Sequence, residues 1–140
     1  MLAAMLAKTG RENGQALVET ALVLPLVLLL LLGVVQFGII LSGEIAVSSA
    51  AREGARLAAV GATDAEISVK VQNMLHNSPL LEAVSVHIEP QGARSFGQPV
   101  TVTVEAGTDV IVPFFDLFLG ESFRHEADAT MRVEYVQEAT

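Results

Sequence analysis

The spacing of hydrophobic and polar positions changes along the chain, and each change marks a different kind of element. From Thr20 to Gly43 there is no charged residue, and Gln36 is the only strongly polar side chain in those 24 residues. As a helix this run is about 36 Å long at ~1.5 Å per residue, enough to cross a hydrocarbon core of ~30 Å. A cleaved secretory signal has an apolar stretch of only ~7–15 residues, so the run reads as a retained single-pass anchor. Pro25 lies inside it and removes one backbone donor, which predicts a kink or a loosened turn. Neighbouring helices absorb such a defect in a membrane or a bundle.

Beyond the anchor, "GEIAVSSAAREGARLAAVG" continues the helix with alanines at 51, 55 and 59, and Gly61 is a natural stop. In "TDAEISVKVQNMLHNSP", Thr63 and Glu66 have capping-box spacing, and Ile67, Val71, Met74 and Leu75 share one face. That predicts a short amphipathic helix ending before Pro79. The pattern then alternates with period two in "VSVHIE" (84–89), "VTVTVEAGTDVIV" (100–112) and "SFRHEADATMRVEY" (122–135), separated by glycines and prolines. Such segments form an antiparallel sheet, here of three or four strands. The fold class is therefore α+β: a long N-terminal transmembrane and stalk helix, then a head of one amphipathic helix and a small sheet. Residues 1–14 are a polar leader, 15–43 the transmembrane helix, 44–61 its alanine-rich extension, and 62–140 the head. The patterning of 62–140 suggests a unit that folds without the anchor.

Charge orients this layout. Lys8 and Arg11 precede the anchor, and acidic groups dominate after it. The positive-inside rule then favours a cytoplasmic N-terminus and an extracytoplasmic head, although Arg52 and Arg56 also follow the span. A net charge of −8 leaves no basic face for phosphates, which excludes nucleic acid as a partner. The chain has no cysteine, so disulfides and thiolate metal sites are excluded.

Nothing in the motifs points to catalysis, a cofactor or a small-molecule substrate. His76, His87 and His125 fall on different elements, and no HExxH, GxSxG or Gly-rich phosphate loop occurs. His125 with Glu126 does not make a metal site, because adjacent residues of a strand face opposite ways; loop acids such as Asp109 and Asp116 make no better case for calcium. Gly33 and Gly38 lack small-xxx-small spacing and read as ordinary glycines of a membrane helix. Arg52, Glu53 and Arg56 support two readings: a solvated helix face with local ion pairing, or a docking patch for another helix. Phe114, Phe115 and Phe118 in "VPFFDLFLGESF" read either as core packing the head on the stalk or as a contact with a membrane interface or partner.

One carboxylate, Glu19, opens the apolar run five residues after Gly14. By itself it could be a first-turn acid favoured by the helix dipole, worth ~0.3–1 kcal/mol. Together, "GQALVETALVLPLVLLLLLGVVQFG" and "AAREGARLAAVG" resemble the TadE-like pseudopilins of the tight-adherence (Tad) pilus system, small relatives of type IV pilins. The late "ATMRVE" segment is similar to the way such chains close. The resemblance implies a type IV pilin-like fold and a leader cut between Gly14 and Gln15 by a prepilin peptidase at the cytoplasmic membrane. It also implies an assembly role for Glu19, paired with the N-terminal amine of a neighbouring subunit. The implied partners are membrane lipid, the peptidase, other pilin-like subunits and the inner-membrane assembly proteins of the pilus. Two features depart from the pattern: Thr20 stands where a tyrosine often follows the glutamate, and Gln15 where many pilins begin with a large apolar residue. The alternative is a permanently anchored protein whose acidic head binds another envelope component, a role that does not require Gly14 and Glu19.

Overall fold

The computed structural model describes residues 2–76, 78, 80–112, 115, 117 and 120–135, with side chains from Gly14 onward. Two helices precede three strands: α1 (Leu2–Ala59), α2 (Asp64–His76), β1 (Leu81–Glu89), β2 (Pro99–Asp109) and β3 (Ser122–Arg132). Helix α1 continues through Pro25. The strands form one antiparallel sheet in the order β1-β2-β3, so the described residues make the smaller of the two expected sheets. The chain divides into two compact units, Met1–Val35 and Gln36–Thr140.

The first unit is helix alone. From Gly14 to Leu32 every side chain is exposed, apolar ones included. Such a surface has no counterpart to pack on within its own unit, and its length and hydropathy suit a membrane span.

In the second unit the sheet buries one face. Along β2 the side chains alternate strictly, with Val100, Val102, Val104, Ala106 and Thr108 buried and their neighbours less so. The buried face meets Val47, Ala50, Ala51, Ala55 and Ala58 of α1 and Ile67, Val71 and Leu75 of α2 in one cluster. Small residues on α1 set how near the sheet can come. A Cβ on Gly54 would lie 3.0 Å from Val102 Cγ1 and 3.2 Å from Val71 Cγ2. On the outer face, polar pairs such as the Thr101–Thr130 hydroxyls, 2.8 Å apart, take over.

Both helix boundaries between α1 and α2 have local causes. The Gly61 N–H reaches the Ala58 carbonyl at 3.4 Å, and the Ala62 N–H reaches Leu57 at 3.0 Å. With Gly61 at φ +101° this is the Schellman ending that a glycine permits. Helix α2 starts with the expected capping box. Glu66 Oε2 accepts from the Thr63 N–H (2.9 Å) and hydroxyl (2.8 Å), and the Glu66 N–H donates to Thr63 Oγ1 (3.3 Å). These bonds hold the Glu66 carboxyl below its ordinary range, the backbone N–H of Thr63 contributing most. A lowered folded-state value means the cap stabilises above the ordinary glutamate range and is lost as pH falls through the folded value. Hydrogen-exchange protection in the first turn of α2, relative to the intrinsic rate at each pH, should therefore fall on acidification below about pH 4.5.

The core differs from the sequence expectation in one respect. Residues 62–140 hold only part of it, because α1 contributes Val47, Ala50, Ala51, Ala55 and Ala58. A fragment of residues 36–140 should melt cooperatively by circular dichroism, whereas residues 62–140 alone should show no cooperative transition. Gly54→Leu should lower the midpoint of the longer fragment, since overpacking of this kind costs ~1–3 kcal/mol.

Candidate functional site

The expected processing and assembly residues lie together at the start of the exposed helical segment. Gly14 and Gln15 are exposed, and no atom lies within 4 Å of a Cβ built on Gly14. Glu19 is exposed one turn further along the same helix. Thr20, which departs from the pilin pattern, donates its hydroxyl back to the Ala16 carbonyl at 2.8 Å. Its polarity is thus met within the helix, as serine and threonine allow in apolar helices. From Gln15 to Val35 the helix presents 21 residues, or roughly 32 Å. Its one carboxylate stands near the first end.

The other end is where the head takes hold, at Gln36, inside the charge-free run rather than after it. Gln36 is 1% exposed. Its Nε2 donates to the Asp109 carbonyl at 3.3 Å, and its Oε1 accepts from the Ile111 N–H at 2.9 Å. Both amide groups are therefore spent on the backbone at the exit of β2. Two turns on, Gly43 faces the sheet, where a Cβ would come within 2.7 Å of His125 Nε2. That space lets the buried His125 ring bridge the helix and the sheet. Its Nδ1 lies 3.1 Å from Glu44 Oε2 and its Nε2 2.9 Å from Thr108 Oγ1. The carboxylate accepts from Nδ1–H, and Nε2 meets the threonine hydroxyl. Phe123 packs edge-on against the same ring, with centroids 5.1 Å apart.

The remaining expectations separate. Glu53 and Arg56 pair as expected, with Arg56 Nη2 2.7 Å from Glu53 Oε1 and Nε 2.9 Å from Oε2. The hydrogen bond from Arg56 lowers the Glu53 carboxyl below its ordinary range, and the same bond raises Arg56. Arg52 is exposed on the same turn. Phe115 is half-buried, while Phe114 and Phe118 lie outside the described residues. The helix–sheet core among the described residues is built of valine, isoleucine, leucine and alanine. His125 and Glu126 do face opposite ways, one buried and one exposed. Among the described residues no group of three or more metal-ligating side chains comes together.

Sequence reasoning missed Gln36, Glu44 and His125 as a set, and missed buried Arg94. The Arg94 guanidinium pairs with Asp64 and donates to the Ala62 carbonyl at 3.1 Å, tying the β1–β2 loop to the start of α2. Gln36 carried a signal, as the one amide in a greasy run. Arg94 carried none.

Comparison with known proteins gives one family. Residues 14–56, from Gly14 through Arg56, match the model of a family described as TadE-like protein. No curated protein and no solved structure matches the chain. Replacing Gln36 by Met, similar in length but without hydrogen-bonding groups, should leave the β2 exit with two unsatisfied backbone groups. That costs about 1–3 kcal/mol, and hydrogen exchange at the Ile111 amide reads it directly.

Proposed function

We propose that this TadE-like chain is a minor pilin-like subunit of a Tad-type pilus machine, matured by leader cleavage and assembled through its N-terminal helix. The family is a Tad pilus-associated, structural and non-enzymatic kind of protein. The observation that carries the reading is the coincidence of Gly14, Glu19 and an exposed apolar helix within the matched residues. A plain anchor needs the last of these and neither of the first two.

The chemistry follows from the surroundings of one charge. In the cytoplasmic membrane, before assembly, Glu19 lies close to the aqueous interface, where its carboxylate stays hydrated. When apolar helices bundle, it is drawn among greasy side chains. An isolated charge at the middle of a bilayer costs ~2.5–3.5 kcal/mol or more, and a buried one needs a partner. Prepilin peptidase supplies it. Cutting the Gly14–Gln15 bond creates an α-amino group at Gln15, cationic at neutral pH. Pairing between the Glu19 of an incoming subunit and the Gln15 amine of a neighbour fits only one axial offset. The apolar surface supplies adhesion, and the charge pair selects the register. Other pilin-like subunits and the inner-membrane assembly proteins are the partners of this step, with Arg52, Glu53 and Arg56 available to dock a neighbouring helix. The head then sits on the extracytoplasmic side.

Two measurements test this. Intact-mass analysis of protein co-expressed with its peptidase should find a chain beginning at Gln15; a chain still beginning at Met1 supports a permanent anchor instead. Glu19→Gln should insert and keep its fold but lose crosslinking to partner pilins, with Glu19→Asp partly tolerated. Assembly of the glutamine variant at the parental level would reduce Glu19 to a first-turn acid.

A further inference from the structure

The proposed cut leaves glutamine as the first residue of the mature chain, and an N-terminal glutamine has a reaction of its own. Its α-amine lies the right number of bonds from the side-chain Cδ to close a five-membered lactam. The amine attacks Cδ, the N–Cδ bond forms, the Cδ–Nε bond breaks, and the side-chain nitrogen leaves as ammonia. The product is pyroglutamate, and no oxidant or other co-reactant takes part. Asparagine in the same place would need a strained four-membered ring, and an apolar first residue offers no carbonyl to attack.

The surroundings of Gln15 permit this closure. Every side chain from Gly14 to Thr20 is exposed, Gln15 included. Among the described residues the Gln15 amide has no hydrogen-bond partner, whereas the Thr20 hydroxyl is given to the Ala16 carbonyl. No atom lies within 4 Å of a Cβ built on Gly14, so the backbone just before Gln15 is unobstructed. The helix also tolerates the product. A five-membered ring that includes the backbone nitrogen is what proline brings to a first helical position, where it is well accommodated. Closure further removes a cation from the helix N-terminus, where the macrodipole disfavours positive charge by ~0.3–1 kcal/mol.

Glu19 acts in the opposite direction. Only the unprotonated amine attacks, and at neutral pH a minor share of an ordinary α-amino group is unprotonated. A charge-assisted bond to a carboxylate holds the proton in place and withholds the nucleophile. Once closed, the lactam carries no charge, and the pair that selects the register cannot form.

We propose that Gln15 of the cleaved chain is a modification site, converted to pyroglutamate in subunits that have not assembled and protected where its amine is paired with Glu19. Cyclisation then retires a subunit that waits too long, because it removes the one charge that sets the stagger and leaves the apolar surface unchanged. The inference rests on the leader cleavage and amine pairing proposed above.

Full-length protein would be co-expressed with its peptidase, extracted from membranes without partner pilins and held at neutral pH, its N-terminal peptide being followed by mass spectrometry. The peptide beginning at Gln15 should lose one ammonia with time, and fragmentation should place the loss at residue 15. Pyroglutamyl aminopeptidase should then remove that residue. Gln15→Ala, which lacks the amide, should show no such loss. In cells that also express partner pilins, Glu19→Gln should carry a several-fold larger cyclised fraction than the parent. A chain that begins at Gln15 and keeps its ammonia throughout, its amine free or methylated, overturns the inference and leaves the cleavage reading standing. A chain that still begins at Met1 overturns both. Equal cyclisation in the parent and in Glu19→Gln, with partners present, would overturn protection by Glu19.

Discussion

The architecture depends on how closely one helix can approach one strand. Ala50, Ala51, Gly54, Ala55 and Ala58 give α1 a face with almost no side-chain depth, and β2 fills it with valines. Interiors of this kind are packed at near-crystalline density, so the spacing set by Gly54 against Val102 is felt along the interface. The sheet is too small to bury its own apolar face. It has three strands, and α1 and α2 together cover one side of it. The same helix that carries the exposed apolar segment is therefore also a structural half of the head.

This double duty creates the polar arrangement around Gln36 and His125. Where the helix joins the head, its side chains pass from an apolar surround to a packed interior. Unsatisfied polar groups there are costly, and the described residues leave no buried side-chain nitrogen or oxygen without a partner. Gln36 closes off the end of β2. The Glu44–His125–Thr108 chain of hydrogen bonds joins helix, β3 and β2 at one point, with Gly43 leaving room for the ring. Directional bonds add what valine–alanine packing lacks, since they fix the axial position of α1 on the sheet.

A fixed axial position matters for a subunit whose proposed assembly is itself a matter of register. Pairing of one carboxylate with one amine selects a stagger between helices. That stagger reaches the heads only if each head is rigidly placed on its own helix. The Schellman turn at Gly61 and the Arg94–Asp64 pair continue the same constraint into α2 and the β1–β2 loop. The ion pair of Glu53 and Arg56 is exposed and adds little to stability. Its value lies in orienting charge on the outer side of the helix.

Local rules made much of this legible from the residues alone. A long charge-free run, a capping box, a stop glycine and three alternating segments have short-range causes. The helices and strands they dictate are observed, with α1 reaching back to Leu2 and strand ends moved by up to three residues, and α+β class with a pilin-like layout follows from their order. The offset between Gly14 and Glu19 is likewise a linear feature, which is why it could be read without a fold. Tertiary structure alone decided where the head begins on α1. Val47 to Ala58 belong to its core because the sheet lacks a second apolar layer, a deficit invisible in any one segment. It alone brought Gln36 to Ile111 and Glu44 to His125, pairs 75 and 81 residues apart. Periodicity assigns a residue to a face but not to a partner, and a hydrogen bond requires the partner.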